Sequence, residues 1–143
     1  MKSKILVLLQ FFIIFLMILP IGSEVHYLYL GILISVVGVI IGILAINTHK
    51  PGNFNIRPDI KESCELVTDG IYAYVRHPMY LSVLTMMLGI LLLYLSVYEV
   101  VLYALLVGVM LTKLFYEESL WRCHSDEYEA YKKSTKRLIP FIF

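Results

Sequence analysis

Length and composition limit the kinds of protein this chain can be. It has 143 residues, of which 59% are hydrophobic and 16% are charged, against about 25% charged in an ordinary soluble domain. This balance argues against a water-soluble enzyme and leaves room for a single membrane domain, residues 1–143. The net charge of +1 gives no basis for nucleic-acid binding. Two isolated cysteines, Cys64 and Cys123, provide neither a disulfide framework nor a metal-binding spacing.

Four apolar stretches are long enough to cross a bilayer as helices, which takes about 20 apolar residues. They are residues 5–23, 27–47, 78–94 and 98–116. The first follows Lys2 and Lys4, so it also resembles a cleavable signal peptide. The last two are separated by a few residues around Ser96 and are predicted to form a tight antiparallel hairpin, with Glu99 near a water-accessible tip. The predicted fold class is an all-α integral membrane protein.

The basic residues predict how these spans are oriented, because Lys and Arg concentrate in cytoplasmic loops. All twelve lie at the N-terminus, in the loop of residues 48–77, or at and after the end of the last span. The turns at 22–26 and 95–97 contain none. This distribution predicts a multi-pass protein with both termini cytoplasmic. An aromatic belt is expected at the outer interface, formed by Tyr27, Tyr29, Tyr94 and Tyr98.

Two polar segments therefore share the cytoplasmic side, the loop of residues 48–77 and the tail of residues 117–143. So much polar chain on one face predicts a site there. The tail carries a stripe at helical spacing that predicts an amphipathic helix, followed by a basic run. The stripe comprises Leu120, Trp121, His124, Tyr128 and Tyr131. In the second span, small residues permit close approach of another helix, either of this chain or of a second copy. They are Gly31, Gly38 and Gly42.

The loop ends in Arg76, His77 and Pro78, a group that predicts polar side chains at the start of a helix. Pro78 fits the first helical turn and keeps His77 out of helical conformation. The free N–H groups of that turn would suit a carboxylate. The alternative is that Arg76 and His77 are only interfacial anchors.

A second group, Glu117 and Glu118, follows Lys113 by one helical turn. Adjacent acids at the end of a span oppose the helix dipole and need a cation or a function. Here the alternative is a simple ion pair between Lys113 and Glu117, four residues apart on one face.

The two groups together resemble a known family. The order is Gly70-x-Tyr72-x-x-x-Arg76-His77-Pro78-x-Tyr80, then Glu117-Glu118, then a tail ending in Pro140-Phe141. Over residues 53–143 this resembles the isoprenylcysteine carboxyl methyltransferases and their phospholipid methyltransferase relatives. The resemblance implies an enzyme that uses S-adenosylmethionine to methylate a lipophilic or prenylated acceptor at the cytoplasmic face of the bilayer.

The resemblance also implies a set of site residues. Those that would hold S-adenosylmethionine are Cys64, Glu65, Leu66, Val67, Tyr72, His77, Pro78, Met79, Tyr80 and Glu117. Lys113 stands where the carboxyl methyltransferases place an arginine that contacts the acceptor, and the change removes a bidentate carboxylate contact. Arg57, Arg76 and Glu118 belong to the motifs without an assigned role, no residue is assigned a catalytic role, and no metal site is expected.

Three other functions stay open on the sequence. One is N-methylation of a phospholipid amine rather than O-methylation of a carboxylate. Another is a membrane reductase of related fold that uses NADPH, and the last is a membrane scaffold without catalysis. The methyltransferase function is favoured because Glu117 fits the cationic sulfonium, and Tyr72 and Tyr80 offer aromatic faces to the cofactor.

Overall fold

Every regular secondary-structure element among the described residues is a helix. The computed structural model describes residues 2–19, 21, 24–48, 66–124 and 127–139, without the side chains of residues 123 and 124. The helices are α1 (Lys2–Ile18), α2 (Leu28–Thr48), α3 (Pro78–Leu93), α4 (Val97–His124) and α5 (Glu127–Ser134), with a short 3-10 helix at Gly70–Ala73. The prediction of an all-α fold is confirmed for these residues.

The helix bounds differ from the predicted spans in two places. Helix α1 ends at Ile18, five residues before the predicted end of the first span. Helix α4 runs without a break to His124, so Glu117 and Glu118 lie inside it and not at its end. The argument that these acids oppose a helix dipole was therefore wrong, because the dipole acts within the last turn. The predicted stripe is also divided, with Trp121 on α4 and Tyr128 on α5.

Helices α2 and α4 are each long and apolar enough to cross a membrane, whereas α3 is a shorter apolar helix. Large apolar side chains of α1, α2 and α4 point away from the bundle and are about half exposed. Examples are Phe12, Phe15, Leu33, Ile43 and Val101. A water-soluble protein would bury most of them, so this surface is one that faces lipid. The chain is a membrane protein.

Helices α2 and α3 pack closely and antiparallel through glycines. A Cβ atom added at Gly38 would lie 2.5 Å from the Met86 backbone nitrogen. The Ser82 hydroxyl donates to the Gly38 carbonyl oxygen at 2.7 Å, and the Ser35 hydroxyl donates to the Met86 carbonyl oxygen at 3.1 Å. The small residues of the second span thus serve packing within this chain.

Helix α1 packs antiparallel against α4, so that the core lies between α1, α3 and α4. Ile13 and Met17 of α1 join Leu106 and Met110 of α4 in it. The first turn of α4 also packs beside the end of α1, where the Tyr98 hydroxyl donates to the Leu16 carbonyl oxygen at 3.5 Å. Glu99, the next residue, is fully buried, and the prediction that water can reach it near the tip of the hairpin was wrong.

We expect Gly38→Ala to destabilise the protein by about 1–3 kcal/mol, because its methyl group would collide with backbone atoms of α3 that cannot move aside. Gly108→Ala is the matched control. No atom lies within 4 Å of the Cβ that it adds, and alanine favours helix over glycine by up to about 1 kcal/mol. Thermal unfolding in detergent measures both, and equal stability of the two variants would contradict the packing described here.

Candidate functional site

A polar cluster lies at the end of the bundle where α3 begins and α4 passes Glu117. Pro78 is the first residue of α3, and His77 precedes it with non-helical dihedrals, φ −123° and ψ 57°. The N–H groups of Tyr80 and Leu81 both donate to the His77 carbonyl oxygen at 3.1 Å. Since Pro78 has no N–H, this helix start offers fewer free donors to an anion than the sequence predicts.

The Arg76 side chain is buried and joins three elements. Its Nε and Nη2 atoms donate to Oε1 of Glu118 at 3.1 and 3.0 Å. Its Nη1 atom donates to the carbonyl oxygens of Lys132 and Thr135. Arg76 is only 8% exposed, so the alternative that it is an interfacial anchor reaching toward headgroups is wrong.

The segment after α5 is held against the loop that precedes α3. Val75 and Lys136 form an isolated parallel β-bridge. The Arg76 N–H donates to the Lys136 carbonyl oxygen at 2.7 Å, and the His77 N–H donates to the Arg137 carbonyl oxygen at 3.0 Å. The Arg137 Nε atom then donates to Oε2 of Glu118 at 3.1 Å. Both carboxylate oxygens of Glu118, which is 2% exposed, therefore accept hydrogen bonds from arginines.

Glu117 has different surroundings. Its side chain is 28% exposed, and its Oε2 atom accepts a hydrogen bond of 2.6 Å from the Tyr80 hydroxyl. The His77 ring stacks on the Tyr80 ring, with centroids 5.3 Å apart. Its Nδ1 atom lies 3.9 Å from Glu117 Oε2, and its Nε2 atom lies 3.6 Å from Glu118 Oε1. That buried Nε2 atom has no hydrogen-bond partner among the described residues.

Lys113 is buried beside this group, and its partner is not the one expected. Its Nζ atom donates a hydrogen bond to Oε1 of Gln10 on α1. It also lies 5.2 Å from the centroid of the Tyr80 ring, a cation–π arrangement. Among the ion pairs of the described residues there is none between Lys113 and Glu117. The simple ion pair considered for the sequence is therefore absent.

Aromatic side chains enclose the cluster on the side of the tail. The Tyr131 hydroxyl donates to the Tyr72 carbonyl oxygen at 2.6 Å, and the Trp121 ring stacks on Tyr128 with centroids 6.1 Å apart. Burial raises the pKa of Tyr72, Tyr128 and Tyr131 above its usual value, and the negative charge of Glu117 adds to this effect at Tyr72. These phenols stay neutral at physiological pH and can act as hydrogen-bond donors.

The structure brings four of the predicted cofactor residues together, namely Tyr72, His77, Tyr80 and Glu117. Pro78 and Met79 form the first turn beneath them, while Leu66 and Val67 are half-buried in the chain before the 3-10 helix. Predictions made for Arg57, Cys64 and Glu65 lie outside the described residues.

Sequence reasoning missed two residues of the cluster. Gln10 could have been found as a lone polar residue in an apolar stretch. Arg137 was grouped with a basic tail, although the return to apolar residues after it indicated that the chain packs again.

This fold and site define the class of the protein, an all-helical membrane protein with a polar cluster at one end of its bundle. The profile of the phospholipid methyltransferase family matches residues 26–123, which is more than half of the chain. The chain belongs to that family. It is also 35% identical over 79 residues to protein-S-isoprenylcysteine O-methyltransferase of Schizosaccharomyces pombe. That match covers 54% of this chain and 34% of the yeast protein, so the chain corresponds to about a third of this relative.

We expect Glu118→Gln to destabilise the protein by about 3–5 kcal/mol, because it leaves two arginines without their counter-charge in a buried site. Glu129→Gln is the matched control, since it removes pairs to Arg122 and Lys132 at a position that is 53% exposed. It should cost no more than about 1 kcal/mol. Denaturant unfolding in detergent micelles measures both, and a Glu118 variant as stable as the control would show that the pair does not hold the fold.

Proposed function

We propose that this protein transfers a methyl group from S-adenosylmethionine to the carboxylate of a lipid-like or prenylated acceptor. The observation that carries the proposal is the difference between two adjacent glutamates. Glu118 has both oxygens occupied by arginines, whereas Glu117 accepts one tyrosine hydroxyl and remains partly exposed. Glu117 thus keeps capacity for a cationic ligand.

The residues of the cluster fit S-adenosylmethionine. The Glu117 carboxylate can hold the positive charge of the sulfonium or of the amino group. The Tyr72 and Tyr80 side chains, both near Glu117, offer aromatic surface to a cation or to adenine. The His77 ring stacks on Tyr80 and so adds aromatic surface beside Glu117. When bound, S-adenosylmethionine supplies an electrophilic methyl group that an in-line nucleophile accepts, leaving a neutral thioether.

The residues of this chain then contribute by positioning the two reactants and by excluding water from them. The arginine pairs of Glu118 hold the tail against the loop, so the bonds that shape the cluster are fixed before a ligand enters. A carboxylate acceptor is already a nucleophile and needs no general base.

Lys113 favours an anionic acceptor over an amine. Lys113 is 1% exposed, and its ammonium group contacts the neutral amide of Gln10. An anionic headgroup would gain from this positive charge, whereas a protonated amine would be repelled. The yeast relative is named as an O-methyltransferase of protein S-isoprenylcysteine, which points the same way. Amine N-methylation of a phospholipid is the second candidate, because the family takes its name from phospholipid acceptors.

We also infer that the protein crosses the membrane four times, with α1 to α4 as spans and both termini cytoplasmic. The support comes from the one-sided distribution of Lys and Arg together with the four apolar helices. The polar cluster then faces the cytoplasm, where S-adenosylmethionine is found. The lipophilic acceptor would reach the cluster laterally from the bilayer.

Cysteine labelling tests this topology. In a background with Cys64→Ser and Cys123→Ser, a membrane-impermeant maleimide should label Leu95→Cys in intact cells, because this turn faces outward in the proposed arrangement. Thr68→Cys, which lies in the opposite loop, should react only after permeabilisation. Labelling of Thr68→Cys in intact cells would place the cluster on the wrong side for the cofactor and would contradict the topology.

Methyl transfer to N-acetyl-S-farnesylcysteine tests the activity, with S-adenosylmethionine labelled in its methyl group. We expect transfer by the wild type, and cofactor binding at least about tenfold weaker for Glu117→Gln, since a charge-assisted contact contributes about 1.5–3 kcal/mol. The glutamine amide oxygen can still accept the Tyr80 hydrogen bond, so stability should change little. Glu127→Gln, an exposed substitution on α5, is the matched control.

The alternatives give different results in the same preparation. Transfer to a phosphatidylethanolamine amine instead of the carboxylate would establish the N-methyltransferase. Binding of NADPH without binding of S-adenosylmethionine would indicate a reductase. Binding of neither cofactor would indicate a membrane scaffold without catalysis. A Glu117→Gln variant with wild-type affinity would remove this residue from the cofactor site.

A further inference from the structure

Gln10 is the only polar residue of α1 between Lys4 and Ile18. A polar side chain in an apolar span is costly to bury, and such residues generally face the interior of the bundle and serve a function. Gln10 is 6% exposed and faces α4, on the same side of α1 as the core residues Ile13 and Met17. Its position in the core therefore calls for an explanation in terms of its contacts.

The partner of Gln10 is the Lys113 ammonium group, which donates a hydrogen bond to its Oε1 atom. The contact joins α1 to α4 across the core. The family profile begins at residue 26, so α1 lies outside the segment that defines the family. The contact thus joins a residue inside the family segment to a helix outside it.

A chain of contacts leads from Gln10 to the proposed cofactor site. The Lys113 Nζ atom lies over the Tyr80 ring, and the Tyr80 hydroxyl donates to Glu117. Lys113 precedes Glu117 by four residues, which sets it about 6 Å deeper along the helix axis. The cation is therefore on the membrane side of Glu117, the side from which a lipid-like acceptor would approach.

The amide of Gln10 can hold a cation in place without neutralising its charge. An amide oxygen accepts a hydrogen bond from an ammonium group but carries no net charge. A glutamate at the same position would hold Lys113 equally well and would cancel its attraction for an anion. A leucine would leave the ammonium group without this acceptor, free to turn elsewhere.

We propose that Gln10 is a positioning residue that fixes the Lys113 ammonium group beneath the Tyr80–Glu117 pair, where it receives the anionic headgroup of the acceptor. This inference rests on the proposed methyltransferase function and adds α1 to the acceptor site. Gln10 acts through Lys113 and does not itself touch the reacting atoms.

The test is a double-substitution cycle on KM for N-acetyl-S-farnesylcysteine. We expect Gln10→Glu and Gln10→Leu each to raise this KM about tenfold, while the Kd of S-adenosylmethionine changes less than about twofold. Lys113→Met should raise KM to a similar extent. In the Lys113→Met background, Gln10→Leu should have no further effect, because residues that act through one contact are not additive.

Ile13→Ala is the matched control for a loosened α1. It removes a buried side chain one turn from Gln10 without altering the hydrogen bond to Lys113. If Ile13→Ala raises KM as much as Gln10→Leu, or if the effects of Gln10 and Lys113 simply multiply, the positioning role is overturned. Should Gln10→Glu not insert, Gln10→Leu decides alone. A wild type that methylates no carboxylate contradicts the proposed function instead, so the two failures are distinguishable.

Discussion

The buried contact between Glu118 and two arginines is the interaction on which the rest of the site depends. Arg76 belongs to the loop before α3, Glu118 to α4, and Arg137 to the segment after α5. Without this carboxylate, two cations would come together with no counter-charge between them. Such a triad adds little net stability compared with apolar packing, but it tolerates only one arrangement of its members. We interpret it as the constraint that fixes the geometry of the cluster.

This constraint explains how two neighbouring glutamates come to differ. Successive residues of an α-helix point about 100° apart, so Glu118 faces the arginines while Glu117 faces Tyr80 and His77. Saturation of the first leaves the second as the acid with remaining capacity for a ligand. His77 lies between the two carboxylates, and its backbone N–H is bound to the carbonyl oxygen of Arg137. The tail therefore positions a residue of the proposed cofactor site through main-chain hydrogen bonds.

The helices, and the location of the cluster at one end of the bundle, could be predicted from the sequence. Apolar runs and charges indicate directly which residues are buried in lipid. The sequence was insufficient wherever the outcome depends on which side chains meet. Arg76 and Glu118 are 42 residues apart, and nothing in their spacing indicates a buried pair. Glu99 follows a short turn that normally meets water, yet it is fully buried. The alternative considered for Lys113 paired it with Glu117 on the same helix, whereas the observed partner lies 103 residues away.

The arrangement of polar groups by depth connects the fold to the proposed chemistry. The arginine pairs and the tail lie at the end of the cluster farthest from the middle of the helices. Glu117 and Tyr80 lie next, and Lys113 with Gln10 lies closest to the middle. A polar cofactor that enters from water would find Glu117 as the acid with remaining capacity, because the arginines at that end are paired with Glu118, while an acceptor anchored in lipid would approach from the side of Lys113. In the proposed function, the Glu117 carboxylate would attract the cofactor and the Lys113 ammonium group would attract the acceptor, each from a different phase. Methyl transfer requires alignment of the nucleophile and the sulfonium, and two opposite charges one helical turn apart would hold the two reactants side by side.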